Sequence, residues 1–466
     1  MTSTPQWWGG DLLEHADPAA VFARIEGTLT FGELARRVGS HGRRFAAAGI
    51  GAGSSVAVCL PPGFTLVEVL LALWSRGATV VLVDARSTPS ELRRLLDLSA
   101  PQVLLTAPPE VTAAGPTQEC DVDLVRLPDG RTSTGEHCLI QFSSGSTGFP
   151  KMIGRTSRSL RAEIDAYASL PGMPVAGERV LVLNSLVHTM GLVGGVLHSL
   201  QVGAEMLLPT AQGLGTLLRD PRTATAQVVL GVPMHFDVIS RSTSVTLPDL
   251  RLAVSAGEVM KPEVWSRFGD RFAVPVSPVY GTTETGIIAA DLVSACPPPW
   301  VGSVLPSTRV EVVDGEVLVH VGESPYLGAD PVERVVDGWL RTFDRGTLTP
   351  DRRLAVHGRA DSLVTIGGLK VDLQEVEAVL TRHPGVDGAV VVHDTSIRAY
   401  VASARSTVRT ADLIAWCREH LSGFKIPATF IVGDTLPRTV SGKAVRDPEV
   451  LRRHAAEQPS PVGAGR

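Results

Sequence analysis

The sequence has little cysteine, and its cysteines form no recognisable pattern. Five of them, Cys59, Cys120, Cys138, Cys296 and Cys417, are scattered along 466 residues without a CxxC pair. An odd number at such spacings gives neither a disulfide framework nor a zinc site. We therefore expect a reduced, cytoplasmic protein.

An excess of charge and a membrane-spanning run are also missing. A formal net charge of −5 with 20% charged residues gives no reason to expect nucleic acid or an anionic membrane as partner. The N-terminus has no basic segment followed by an apolar stretch, so it does not resemble a secretion signal. The charge-free stretch 180–204 contains two His, an Asn and four Gly, which favours buried protein over membrane insertion.

What is present is an alternation of helical and strand patterns. Residues 31–49, 64–77 and 88–100 have apolar positions at helical spacing, and short apolar runs such as "SVAVCL" and "TVVLVDA" separate them. Such alternation predicts an α/β fold with helix-covered, mostly parallel sheets. The pattern restarts on a smaller scale near residue 362. We expect a large N-terminal domain, residues 1–360, and a small α+β C-terminal domain, residues 361–466.

The segment "QFSSGSTGFPK", residues 141–151, follows a predicted strand and is rich in small and hydroxyl residues. Its backbone N–H groups and hydroxyls can approach a bulky anion, and Lys151 adds a mobile cation. This chemistry suits a phosphate. The spacing of Gly145 and Gly148 is not that of a Walker A loop, and Pro150 stands where a helix would begin.

Four further motifs follow this loop in order. They are "VYGTTETG" (279–286), "GWLRTFDRG" (338–346), "HGRADSLVTIGGLKVDLQEVE" (357–377) and "LPRTVSGKAVR" (436–446). Together with the loop, they resemble the core motifs of the adenylate-forming superfamily, which includes acyl-CoA synthetases, adenylation domains of peptide synthetases and luciferases. The resemblance extends from about residue 20 to residue 450.

This resemblance implies an ATP site. Tyr280 would stack on the base, Thr283 would bond the α-phosphate and Glu284 would help hold Mg²⁺, while Asp344 would take the ribose hydroxyls with Arg359 nearby. The remaining positions implied to contact ATP are Ser143, Ser144, Gly145, Ser146, Thr147, Gly148 and Lys151 at the phosphates, Ala256, Gly257 and Glu258 along the adenine, and Gly281 and Thr282 beside the stacking ring. Tyr280 as core filler and Asp344 as a turn cap remain the simpler alternatives.

The resemblance also implies a moving C-terminal domain. Asp361 would be its hinge, unless it only pairs with Arg359, and Lys443 would be the catalytic cation. A flexible stem carrying a point charge suits a group that reaches both the substrate carboxylate and the α-phosphate. Gly367 and Gly368 would let the pantetheine arm of a thiol pass close to backbone, and Lys370 would contact that arm or lie on the surface.

Two positions depart from the family pattern. The usual "TGD" is "TFD", with Phe343 in place of Gly, and Met152 replaces the Gly that usually follows the loop lysine. The first departure predicts a changed backbone around Asp344. Neither removes a charged participant, so ATP use is still expected.

The segment 185–208 resembles the His-containing acyl pocket of acyl- and aryl-CoA ligases. His188, Met190, Gly191, Met234 and His235 would line it, although both histidines also fit a core role. No Asp or Glu lies between Arg179 and Glu205. A buried ammonium without a counter-ion is costly, so an α-amino acid is disfavoured as substrate.

We therefore predict an ATP-dependent ligase of a small acyl or aryl acid. It would form acyl-AMP and pyrophosphate and then transfer the acyl group to a thiol of CoA or of a carrier-protein phosphopantetheine. Transfer to an amine and stand-alone amino-acid adenylation are the alternatives. Glu284 and Lys443 argue against a non-catalytic nucleotide-binding protein. The absence of GxGxxG after the first strand argues against a dinucleotide-dependent oxidoreductase.

Overall fold

The computed structural model describes residues 7–14, 16–114, 117–133, 135–143, 150–209, 220–293, 296–328, 334–359, 363–403, 408–437 and 445–457. The chain divides into two compact units. The first is assigned residues 1–85, 99–142 and 152–360, and the smaller second unit is assigned residues 86–98, 143–151 and 361–466. Both units mix helices and strands, so the fold is α/β.

The helices of the described residues are α1 Phe31–Ala47, α2 Phe64–Ser75, α3 Pro89–Ser99, α4 Pro109–Ala114, α5 Ser157–Ser169, α6 His198–Val202, α7 Pro233–Arg241, α8 Pro262–Phe272, α9 Leu373–Thr381, α10 Thr410–His420 and α11 Pro448–Glu457. A π-helix, Met190–Leu197, leads directly into α6. Short 3₁₀ turns cover Gly10–Leu13, Thr223–Thr225 and Gly423–Lys425.

The strands are β1 Val21–Arg24, β2 Thr28–Thr30, β3 Ser55–Cys59, β4 Thr79–Leu82, β5 Val103–Thr106, β6 Asp123–Arg126, β7 His137–Ser143, β8 Lys151–Thr156, β9 Arg179–Val182, β10 Glu205–Leu207, β11 Val228–Gly231, β12 Leu252–Ala256, β13 Val276–Thr282, β14 Gly286–Ala290, β15 Trp300–Val304, β16 Val310–Val313, β17 Glu316–His320, β18 Tyr326–Leu327, β19 Val335–Val336, β20 Trp339–Leu348, β21 Arg353–Arg359, β22 Leu363–Ile366, β23 Leu369–Asp372, β24 Gly388–His393, β25 Ile397–Ala402 and β26 Thr429–Gly433.

Two large sheets organise the described part of the first unit. One has the order β16-β17-β20-β21-β15-β14-β13-β12-β11-β9-β10-β1-β2, with β19 beside β20, and the other has the order β18-β8-β7-β4-β3-β5-β6. Strands joined through helices, such as β11, β12 and β13, pair in parallel. From β13 to β17 the pairing is antiparallel, because short turns replace the helical crossovers.

The early sequence pattern is confirmed. The predicted helices are α1, α2 and α3, and the strands β3, β4 and β5 follow them in turn and pair in parallel in the order β4-β3-β5, as expected. Residues 107–137 contain α4 and the edge strand β6. Most of the charge-free stretch is buried, including all of residues 190–200, although His188 within it is exposed. No helix among the described residues is long and apolar enough to cross a membrane.

The start of helix α5, which lies next to the candidate site, is set by a capping residue. Thr156 caps α5, and its hydroxyl accepts a hydrogen bond from the Ser159 N–H at 3.1 Å. Such a cap satisfies a backbone donor that the first turn leaves open. The buried face of α5 consists of Leu160, Glu163, Ile164 and Tyr167.

The second unit holds its segments together with buried charges. Lys425 lies 2.8 Å from a carboxylate oxygen of Glu91 and 3.1 Å from one of Glu375. Both acids are nearly inaccessible to solvent, so each needs the cation. Burial acts to raise the pKa of Glu91, but Lys425 and its hydrogen bonds hold that pKa below the usual value. These contacts attach α3 to the rest of the unit.

Candidate active site

The hairpin of β13 and β14 carries the "YGTTETG" motif. Thr283, Glu284 and Thr285 form its tip, and the hydroxyls of Thr282 and Thr285 lie 3.1 Å apart. A Cβ on Gly281 would overlap the carbonyl oxygen of Gly286 across the hairpin. Glycine is therefore required at position 281 for the two strands to approach this closely.

Asp344 is held by two of the side chains that the sequence groups with it. It lies on β20, and its two carboxylate oxygens accept hydrogen bonds from the Tyr280 hydroxyl at 2.6 Å and from the Arg359 guanidinium at 3.0 Å. Asp344 is buried, and β21 places Arg359 directly opposite it. Burial, followed by the negative charge of Asp344, raises the pKa of Tyr280 well above its usual value. Tyr280 is therefore a hydrogen-bond donor at neutral pH.

Phe343 adopts the backbone conformation that the missing glycine would favour. Its φ is +59°, in the left-handed region. Two guanidinium groups contact the ring, with Arg334 at 4.6 Å and Arg341 at 5.0 Å from its centroid. Its N–H donates to a carboxylate oxygen of Glu316 at 3.1 Å. These contacts stabilise the turn that carries Asp344 despite the cost of a positive φ.

Glu284 has a partner that the sequence did not reveal. The Tyr326 hydroxyl donates a hydrogen bond to a Glu284 carboxylate oxygen at 2.8 Å. Tyr326 is buried, and its pKa is raised by burial first and by the charge of Glu284 second. The phenol therefore stays protonated and fixes one Glu284 oxygen.

A single carboxylate suits magnesium here. Mg²⁺ is usually bound through one or two carboxylates together with substrate phosphates and water. Within the described residues no group of three or more His, Cys, Asp or Glu side chains forms a self-contained metal site. The Glu284 carboxylate has the ligand chemistry that such a metal prefers.

A second site residue that sequence reasoning missed is Arg155. Its guanidinium donates to the Thr283 carbonyl oxygen at 3.4 Å and forms an ion pair with Glu163. The sequence contains one indication of this ion pair, because Glu163 lies on the apolar face of α5 with Leu160 and Ile164. Such an acid needs a buried cation, and the pairing partner lies one residue before the helix cap.

The segment expected along the adenine ends β12. Ala256 is buried, Gly257 is exposed with a φ of +92°, and Glu258 is partly exposed. A Cβ on Gly257 would lie 3.8 Å from the side chain of Val232. Val232 precedes α7, so this turn packs next to the start of that helix.

The residues expected to line the acyl pocket separate into two groups. His188 and Met234 are exposed. Met190 is buried, with its sulfur 3.3 Å from the Tyr167 hydroxyl that donates to it. A Cβ on Gly191 would overlap the Ser185 carbonyl, so this glycine permits close backbone packing.

His235 serves as a helix cap. Its Nδ1 accepts a hydrogen bond from the Val232 N–H at 3.1 Å, so the proton of the neutral ring lies on Nε2. Burial lowers the pKa of His235 to about 4. The ring is therefore neutral at physiological pH.

Several predicted residues lie outside the described residues: Ser144, Gly145, Ser146, Thr147, Gly148, Asp361 and Lys443. Ser143 ends β7, and Lys151 begins β8 as a buried residue. Gly367 and Gly368 form the turn between β22 and β23, with φ values of +57° and +79°. Lys370 lies on β23 opposite Thr365.

None of the five cysteines is a ready nucleophile. All five are free thiols. Burial raises the pKa of each of them, and those of Cys59, Cys138 and Cys417 reach about 12. The thiolate form, which reacts, is therefore suppressed.

Comparison with known proteins identifies the family of the chain. Residues 13–327 match the AMP-binding enzyme family, and residues 375–443 match the AMP-binding enzyme C-terminal domain. The chain is 30% identical to a sulfoacetate–CoA ligase from Cupriavidus necator, over 90% of this chain and 91% of that protein. It is 28% identical to a feruloyl-CoA synthase from Amycolatopsis sp., over 94% and 96%.

The fold is also that of a solved structure. The amide bond synthetase McbA from Marinactinospora thermotolerans superposes with a TM-score of 0.81 at 24% identity, over 96% of this chain and 99% of that chain. This likeness confirms the predicted fold, with a large N-terminal and a smaller C-terminal domain. The family match and the relatives named as CoA ligases and synthases confirm the predicted AMP-forming acid ligase activity. The chain belongs to the AMP-binding enzyme family.

Proposed function

We propose that this enzyme activates a small carboxylic acid with MgATP and transfers the acyl group to the thiol of CoA. The observation that supports it best is the contact of Tyr280, Asp344 and Arg359, next to the hairpin tip with Thr283 and Glu284. This group of residues combines an aromatic ring for the base (Tyr280), a carboxylate for the ribose hydroxyls (Asp344) and a carboxylate for a metal (Glu284).

In the first step, the substrate carboxylate attacks the α-phosphorus of ATP and pyrophosphate leaves. Negative charge builds on oxygens that already carry it, so donors and cations lower the barrier more than a protein nucleophile would. Thr283 donates to the α-phosphate, and Lys443 is the proposed mobile cation. Glu284 would help hold Mg²⁺, which would neutralise charge on the phosphates.

In the second step, the thiol attacks the acyl carbon and AMP leaves. The Gly367–Gly368 turn is the proposed path of the pantetheine arm, because the two residues present bare backbone. CoA is proposed rather than a carrier protein because the relatives compared above are named as CoA ligases and synthases. We propose domains 1–360 and 361–466, with Asp361 as the hinge that moves between the steps.

Acid-dependent exchange of labelled pyrophosphate into ATP tests the first step directly. A panel of short aliphatic, dicarboxylic and aromatic acids should contain at least one that supports exchange. Adding CoA, a phosphopantetheinyl peptide or an amine to the same acid then identifies the acceptor from the product formed. If no acid supports exchange while ATP binds, the proposed ligase activity is wrong.

A further inference from the structure

A buried ion pair lies beneath the hairpin tip, and the proposed reaction does not use it. Arg155 and Glu163 have side chains that are each 3% exposed, with a guanidinium nitrogen 2.7 Å from a carboxylate oxygen. Burying two charges costs solvation that their attraction only partly returns. Since apolar side chains of similar size would fill the same space, the pair calls for a reason beyond packing.

The contacts of the pair reach both ends of the hairpin tip. From one side, the Arg155 guanidinium donates to the carbonyl oxygen of Thr283 at 3.4 Å. On the other side, Gly286 faces Glu163 so closely that a Cβ would lie 2.5 Å from the carboxyl group. The ion pair therefore bounds the four residues 283–286, which include both Thr283 and Glu284.

Arg155 and Glu163 are themselves rigidly placed. Arg155 directly precedes the cap of α5, and its Nε donates to the Ser159 hydroxyl at 3.1 Å. Glu163 lies on the buried face of the same helix. One turn later, the Tyr167 hydroxyl donates to the sulfur of Met190 at 3.3 Å, at the start of the π-helix. The helix thus connects the hairpin tip with the segment expected to bind the acyl group.

We propose that Arg155 and Glu163 are positioning residues that fix the Thr283–Glu284 tip for MgATP. This inference rests on the proposed function, because the value of a fixed tip lies in its contacts with the α-phosphate and the metal. Supporting groups behind metal and phosphate ligands typically change metal affinity or activity by about 10- to 100-fold when removed.

The test separates positioning from stability. Arg155→Met and Glu163→Leu each leave one buried charge alone and should lower the melting temperature. The double variant removes both charges and should regain most of that stability. Its pyrophosphate exchange should nevertheless stay at least about 10-fold below wild type, with a raised Mg²⁺ requirement and an unchanged KM for the acid.

Arg161→Met is the matched control. Arg161 lies on the same helix but pairs with Asp11, away from the hairpin, so its exchange rate and Mg²⁺ requirement should match wild type within about twofold. Recovery of wild-type exchange by the double variant would overturn the proposal and leave the pair a purely structural one.

Binding of α,β-methylene-ATP, titrated with Mg²⁺ and followed by calorimetry, keeps the two hypotheses apart. If none of the acids supports pyrophosphate exchange by the wild type, but the double variant still needs more Mg²⁺ than the wild type to bind the nucleotide, the ligase proposal fails and the positioning role stands. Equal Mg²⁺ dependence in wild type and double variant overturns the positioning role alone.

Discussion

At the scale of single residues, Lys443 carries the most direct prediction about the chemistry. Lys443→Ala should lower acyl-adenylate formation by at least about 10²-fold while ATP still binds, because the cation contributes mainly as charge develops in the transition state. Pyrophosphate exchange measures the first quantity and calorimetry the second. Lys261→Ala, at an exposed position, is the control. Near-normal adenylation by Lys443→Ala would exclude this lysine as the catalytic cation.

Phe343 carries a second prediction at this scale, about stability. Phe343→Gly relieves a positive φ worth about 1–2 kcal/mol but loses two cation–π contacts worth about 0.5–1 kcal/mol each, so the free energy of unfolding should change little. Phe343→Val keeps a β-branched side chain at that φ and should destabilise by about 1–3 kcal/mol. It should also raise the KM for ATP by displacing Asp344. Urea unfolding and ATP kinetics measure both, and an unchanged KM in the Val variant would contradict the argument.

At the scale of elements, the Gly367–Gly368 turn is tested by two substitutions of Gly368. Leu at a φ of +79° adds both bulk and strain, whereas Asn tolerates the left-handed region with a small side chain. We expect Gly368→Leu to stop thioester formation while pyrophosphate exchange continues, and Gly368→Asn to retain the fold with a weaker effect on thioester formation. Assaying the two half-reactions separately gives the answer. Equal loss of both in the Leu variant would show that the turn is only structural.

Helices and strands with a clear period could be predicted from the sequence, whereas contacts between distant elements could not. Apolar spacing located α1, α2 and β3 because those residues bury one face or both. The motifs predicted that Tyr280 and Asp344 belong to one site. They did not predict the hydrogen bond between the two, because 64 residues separate them in the chain. Tyr326 and Arg155 were missed because a lone tyrosine or arginine gives no periodic signal. Their roles depend on the pairing of β18 with β8 and on the approach of β8 to the hairpin.

At the scale of the whole molecule, a fully buried histidine, His198, and a partly buried one, His235, predict how stability depends on pH. Burial lowers the pKa of His198 and of His235 to about 4, below the usual 6.5. The unfolded chain therefore binds more protons than the folded one between these values. Stability should be full above about pH 6.5 and fall towards pH 4, by up to about 1.4 kcal/mol per pH unit for each histidine.

Urea unfolding at pH 7.5, 6 and 5 measures this slope. His198→Phe should flatten it by the share of one histidine, because the ring is fully buried and Phe fills a similar volume. His357→Gln, at an exposed position, should leave the slope unchanged. An identical slope in wild type and His198→Phe would contradict the assignment.

The choice of substrate is also a property of the whole enzyme, because the proposed acyl pocket and the proposed nucleotide site come from different parts of the chain. No acidic side chain lies between Arg179 and Glu205, and residues 190–197 are buried and apolar. Such a segment can bury an acyl chain or an aromatic ring at about 25 cal/mol per Å² but offers no counter-ion for an ammonium beside the carboxylate.

We therefore expect an aliphatic or aromatic acid to be preferred over the α-amino acid with the same side chain by at least about tenfold in kcat/KM, which corresponds to about 1.4 kcal/mol. Pyrophosphate exchange with 3-phenylpropanoate and with phenylalanine makes the comparison at constant ring size. A second comparison, of acetate with glycine, uses substrates without a ring. It measures the effect of the ammonium charge even if the aromatic group of the first pair fits the pocket poorly. If the amino acid is preferred in both pairs, the ammonium has a partner outside residues 179–205 and the enzyme acts on amino acids.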